Sequence, residues 1–90
     1  MAKGAFVMKW VNQKRERYSR LPSGVRGRRD NKLFNINAYS EGFSQDHIGW
    51  YVCISYLKTN KNYNSLWDKL WWKDIGEAKK WCERHELFAR

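Results

Sequence analysis

Ninety residues carrying a net charge of +9 leave room for one small, strongly basic domain and exclude a second. A chain of this size buries only about two-thirds of its unfolded surface, so its core has to be efficient. Six Trp, five Tyr and four Phe supply that core, since each buried aromatic removes roughly 150–250 Å² from water.

Residues 5–11 alternate loosely, with Phe6, Met8 and Trp10 on one side, and predict a short strand. Residues 12–32 follow as a basic stretch punctuated by Pro22, Ser23, Gly24 and Gly27, which predicts an irregular, mobile connection. Residues 33–39 alternate with period two, placing Phe34, Ile36 and Ala38 opposite Asn35 and Asn37, the pattern of a half-buried antiparallel strand. After a polar connection, residues 50–57 give the strongest strand signal, with Trp50, Val52, Ile54 and Tyr56 on one face and Tyr51, Cys53, Ser55 and Leu57 on the other. The cluster from Lys58 to Asn64 is read as a loop. Residues 66–73 fit a further strand ending near Trp72, with a short helix capped by Asn64 or Ser65 as the alternative. Asp74 and Glu77 then open a helix in the manner of a capping box. Ile75, Ala78, Cys82 and His85 share one stripe with Trp81 beside them, and Lys79, Lys80, Glu83, Arg84 and Glu86 cover the opposite side.

Strands followed by one amphipathic helix predict an α+β fold: a three- to four-stranded antiparallel sheet with a C-terminal helix packed on one face. The expected core is Phe34, Ile36, Trp50, Val52, Ile54, Leu70, Ile75, Ala78, Trp81 and Cys82.

Charge is uneven. Residues 1–32 hold ten Lys/Arg against Glu16 and Asp30, a net +8, whereas the rest of the chain carries +1. Such asymmetry is expected of a segment facing a polyanion. Arginine grips phosphate bidentately, and each neutralised phosphate releases counterion. The expected DNA-contacting residues are Lys14, Arg15, Arg17, Tyr18, Arg20, Arg26, Arg28, Arg29 and Lys32, with Tyr18 able to stack on an unpaired base.

From Gly49 onward, the order of a strand (Gly49 to Tyr56), a loop (Lys58 to Asn64), Trp71-Trp72 and Ile75-Gly76-Glu77-Ala78-Lys79-Lys80-Trp81 resembles the AP2-type DNA-binding domains. It is similar also to the arm-binding domains of phage and transposon integrases. Ser23-Gly24-Val25-Arg26-Gly27-Arg28-Arg29 resembles the Gly-Val-Arg opening of AP2 domains. The resemblance implies a three-stranded sheet with a helix, DNA binding, and a phage or mobile-element setting. AP2 domains read the major groove with Arg and Lys on their strands. Residues 50–57 carry neither, so contact is expected through the basic tract, with little or no sequence preference.

The rival expectation is a protein-binding inhibitor or adaptor of a host enzyme, docking through Trp67, Trp71 and Trp72, since Trp anchors many interfaces. No Gly-rich phosphate loop, nucleophile elbow or His-Glu-x-x-His motif is present, so no enzyme, no cofactor and no small-molecule substrate are expected. Cys53, Cys82, His85 and His47 lack a Cys-x-x-Cys pair, and no metal is expected. Two cysteines are too few for a disulfide framework. No run approaches the roughly 20 apolar residues of a membrane span, and Gly4 to Met8 is too short for a signal-peptide core, so a cytoplasmic protein without a membrane partner is expected.

Overall fold

The computed structural model describes residues 8–14, 21–40 and 48–85, with residue 85 described by its backbone alone. Five strands, β1 (Trp10–Asn12), β2 (Val25–Arg29), β3 (Lys32–Ser40), β4 (Ile48–Tyr56) and β5 (Lys61–Asn64), form one antiparallel sheet in the order β1-β2-β3-β4-β5. A 3-10 turn (Ser65–Asp68) and the helix α1 (Ile75–His85) complete the chain order. The architecture is α+β, with one C-terminal helix and one strand more than the upper expectation.

β3 and β4 form the centre, paired over nine positions from Lys32↔Tyr56 to Ser40↔Ile48. Their alternation is the one the sequence predicts: Phe34, Ile36, Val52 and Ile54 are fully buried beneath Ala78 and Cys82 of α1. Trp10, Trp50, Tyr56, Tyr63, Trp72, Ile75 and Trp81 pack around them. Met8 and Val25 also enter the core, whereas Leu70, expected inside, is 37% exposed. The 3-10 turn carries Leu70 past the sheet edge, where its carbonyl rather than its side chain faces inward.

Three further expectations are corrected. Residues 25–29 are a regular strand and not part of an irregular connection. Val25 and Gly27 face the helix while Arg26 and Arg28 face away, so the Arg/Gly alternation is itself a period-two strand pattern. Gly27 is required there because a Cβ would lie 2.5 Å from Met8 Sδ and 2.9 Å from the Trp10 ring. Residues 61–64, read as loop, pair with β4, from Tyr56↔Lys61 to Cys53↔Asn64. Thr59 and Asn60 both return amides to the Tyr56 carbonyl, and Asn60 takes a left-handed φ of 58°, so the chain reverses early.

Residues 66–73 are not a full strand. Asn64 caps a 3-10 turn by accepting from the Leu66 amide, and Lys69 closes it in the left-handed region. Only Trp72 rejoins the sheet, exchanging backbone hydrogen bonds of 2.7 and 2.8 Å with Trp50.

Where β5 leaves the sheet, the β4 edge would expose a buried amide. Ser65, fully buried, fills the gap: its hydroxyl accepts from the Val52 amide and donates to the Leu70 carbonyl, both at 2.9 Å. Among the described residues no helix is long and apolar enough to cross a membrane.

Candidate nucleic-acid interface

One helix covers one face of the sheet, and among the described residues no element covers the other. The pairing register fixes which side chains share that open face, because residues directly opposite in a ladder point the same way. From β1 across to β5, one row runs Val11, Arg26, Asn35, Cys53 and Asn64. The next runs Arg28, Leu33, Ser55 and Asn62. Lys9 lies at the β1 side of that second row, lining a common groove with Arg28 and Leu33. On the other flank Asn37 opposes Tyr51, and Tyr39 opposes Gly49.

Lys9, Arg26 and Arg28 are exposed and gather on the β1–β2 side. With Val11, Gly27 and Leu33 they line an open groove of about 310 Å³, apolar in its floor and cationic at its rim. Arg26 Nε donates to Asn35 Oδ1 at 3.2 Å, which lays its stem across the face.

Amides occupy the middle of the face and aromatic rings its far end. Tyr39 and Tyr51 meet edge-on at 6.3 Å, and Tyr39 contacts Trp71 at 6.4 Å. Trp71 is brought here by Gly49, whose missing side chain leaves the space the indole occupies; a Cβ would sit 2.5 Å from Trp71 Cε3. The two consecutive tryptophans therefore part company. Trp71 lies over the open face, while Trp72 packs against Trp81 at 5.2 Å on the helix side.

The charge of this face has one sign. None of these side chains is a carboxylate, and Tyr51 and Cys53 are both held in their neutral forms. Burial pushes the Tyr51 hydroxyl up, as does the neighbouring Cys53, against a hydrogen bond from Asn37 that lowers it. Burial likewise raises the Cys53 thiol, again against Asn37. The carboxylates of the described residues lie off these rows, Asp30 in the turn between β2 and β3 and Asp74 just before α1. Glu83 on α1 accepts from the Trp10 indole at 3.2 Å and the Met8 amide at 3.4 Å, tying β1 to the helix. Glu77 pairs with Lys80, and Asp68 accepts from Tyr63.

The expected DNA-contacting residues are thus divided. Arg26 and Arg28 stand together on the open face, and Lys14 is exposed just beyond β1. Arg29 and Lys32 fall on the opposite parity, toward the helix side, where Arg29 donates to the Glu83 carbonyl at 3.2 Å. Arg15, Arg17, Tyr18 and Arg20 lie outside the described residues, as does His47. Lys9 joins the group from outside the expected tract; its signal is its place one residue before β1, in phase with Val11. Of the tryptophans, Trp67 is 67% exposed beside Tyr63 on the helix side, away from Trp71. Cys53 and Cys82 lie on opposite faces of the sheet, so they belong to no common site.

No protein-family model matches the chain, and neither does any curated protein or solved structure.

Proposed function

We propose that the protein binds DNA through the open face of its sheet, with Lys9, Arg26 and Arg28 contacting phosphates and Lys14 extending the contact along the basic tract. The observation that carries this reading is the segregation of charge: three exposed cations on one uncovered face that holds no carboxylate among the described residues. A face of one sign attracts a polyanion at long range and keeps its affinity salt-dependent. The amides and hydroxyl that fill the centre, Asn35, Asn37, Ser55, Asn62 and Asn64, both donate and accept, which suits weak rather than strict sequence preference.

The test is fluorescence anisotropy with labelled DNA across a salt series, comparing the wild type with a Lys9/Arg26/Arg28→Ala variant. Each lost phosphate contact lowers the slope of log K against log salt by about 0.7–0.9, so the variant's slope is expected to be about 2–3 smaller. An unchanged slope would overturn the assignment of these three residues, and a wild type that binds no DNA at low salt would overturn the function.

One observation favours a second reading. Trp67 exposes two-thirds of its surface off the open face, which suits an aromatic anchor for a protein partner. A Trp67→Ala variant that keeps its DNA affinity but loses a co-purifying protein would establish that reading.

A further inference from the structure

We infer that the open face is built for single-stranded nucleic acid: the groove between Lys9 and Leu33 receives an unpaired base between flanking phosphates, and the Tyr39–Tyr51–Trp71 cluster stacks a second base. This rests on the nucleic-acid reading above and adds to it the form of the ligand.

The width of the face argues against a duplex. Five strands at about 4.8 Å spacing span roughly 19 Å between the outer backbones, whereas a major groove about 12 Å wide admits a helix or a two-stranded ribbon. Pressed onto a duplex, this sheet would rest on the phosphate ridges and leave its central amides without partners. A single strand carries its bases splayed and lies on a surface of any width.

The relief of the face also fits bases. The groove of about 310 Å³ is lined by Val11, Gly27 and Leu33 between three cations, an apolar slot whose only charges are positive. Phosphate alone would be held by the cations and would have no use for the slot. A nucleobase has a flat apolar face to bury there and a phosphate on either side to meet Lys9, Arg26 and Arg28. At the other end, Trp71 is 39% exposed over Gly49. An aromatic ring half open to solvent on a cationic face is a stacking platform that tolerates any base. Between Leu33 and Tyr39, six residues of strand span roughly 20 Å. That length is lined by Asn35 and Asn37, whose amides can meet the edges of intervening bases.

The experiment measures affinity at one moderate salt concentration for four probes. They are a thymidine dodecamer, an RNA dodecamer of the same base composition, a duplex of equal length, and a dodecamer with abasic sites at its central positions. The expected result is that a single strand, DNA or RNA, binds at least about tenfold more tightly than the duplex, and that abasic sites cost the DNA strand about tenfold or more. Leu33→Ser and Trp71→Ala should each weaken binding of the intact strand by about tenfold and leave the abasic strand little changed, while Trp67→Ala serves as a control off the face and changes neither.

Whichever of DNA and RNA binds more tightly names the strand. A duplex that binds as tightly as the single strand, or an abasic strand that binds as tightly as the intact one, overturns this inference and leaves phosphate binding standing. Failure of all four probes overturns the function on which it rests.

Discussion

Ser65 gives the sharpest test of how the sheet is closed. Replacing it with Ala removes one oxygen and changes little else, because the residue is fully buried and Ala fits its space. Two partners are stranded: the Val52 amide, which loses its acceptor, and the Leu70 carbonyl, which loses its donor. Leaving a buried polar group unsatisfied costs about 1–3 kcal/mol. The Leu70 carbonyl still accepts nothing better than water at the edge, so the pair should cost about 2–4 kcal/mol. In a domain of this size each kcal/mol lowers Tm by about 4–8 °C, so the midpoint should fall by roughly 8–30 °C. Urea unfolding followed by tryptophan fluorescence measures the loss directly, and an unchanged m-value would place it in the native state. DNA affinity of the folded variant should stay unchanged, since Ser65 faces the helix side. A loss below about 0.5 kcal/mol would refute the reasoning, because it would mean that Val52 finds another partner and that the serine does not close the ladder.

Two further outcomes concern stability. Lys69 holds a left-handed φ of 58° while its amide caps the 3-10 turn; Gly adopts that conformation without a Cβ penalty, so Lys69→Gly should raise stability by about 0.5–1 kcal/mol in the same urea assay, and a decrease would count against it. Stability should also fall as pH rises above about 9. Burial pushes the thiols of Cys82 and Cys53 up from 9.0, and burial, with Asp68 beside it, pushes the Tyr63 hydroxyl up to about 12. Each group ionises first in the unfolded chain, so its contribution is complete below its unfolded pKa and is lost as pH climbs toward the folded value; deeply buried Cys82 carries most of the decline, at up to about 1.4 kcal/mol per pH unit, and the solvent-screened Cys53 and Tyr63 add much less. Urea midpoints at pH 8, 9 and 10 read the part of the decline that the thiols cause, and a flat profile would show that Cys82 is not buried as described.

The parts of the fold legible in the sequence are those where alternation is carried by large apolar side chains. Phe34 and Ile36, and Val52 and Ile54, announce β3 and β4, and Ile75, Ala78 and Cys82 announce the helix stripe. β2 hid because its inward positions are Val25 and Gly27. A glycine reads as punctuation until Met8 and Trp10 are seen to supply the bulk it lacks. β5 hid because one of its two helix-side positions is the exposed Lys61, and an edge strand of four residues needs little apolar surface. The Trp-rich stretch misled for the opposite reason: Trp67, Trp71 and Trp72 look like one hydrophobic run, yet a left-handed Lys69 sends them to three environments. The candidate face was legible only in part. The basic tract pointed to Arg26 and Arg28, but separating them from Arg29 and Lys32 needs the register, which composition does not contain.

That register is where stability and binding become the same question. A slip of one residue in β2 would turn Arg26 and Arg28 toward the helix and Val25 and Gly27 toward solvent. It would bury two cations in the core and dismantle the cationic rim at once. Two local features hold the register: the fit of Gly27 under Met8 and Trp10, and the tight turn between Arg29 and Lys32, where Asp30 takes a φ of 53°. Glu83 ties the first of them to the helix by accepting from the Met8 amide and the Trp10 indole. The carboxylate thus works on the covered face, where it fastens β1, and stays off the open face, where it would repel phosphate. The sheet sorts charge as strictly as it sorts apolar surface, and both are sorted by the same alternation. The cations of the open face therefore depend on the packing beneath them, on the side of the sheet that the helix covers.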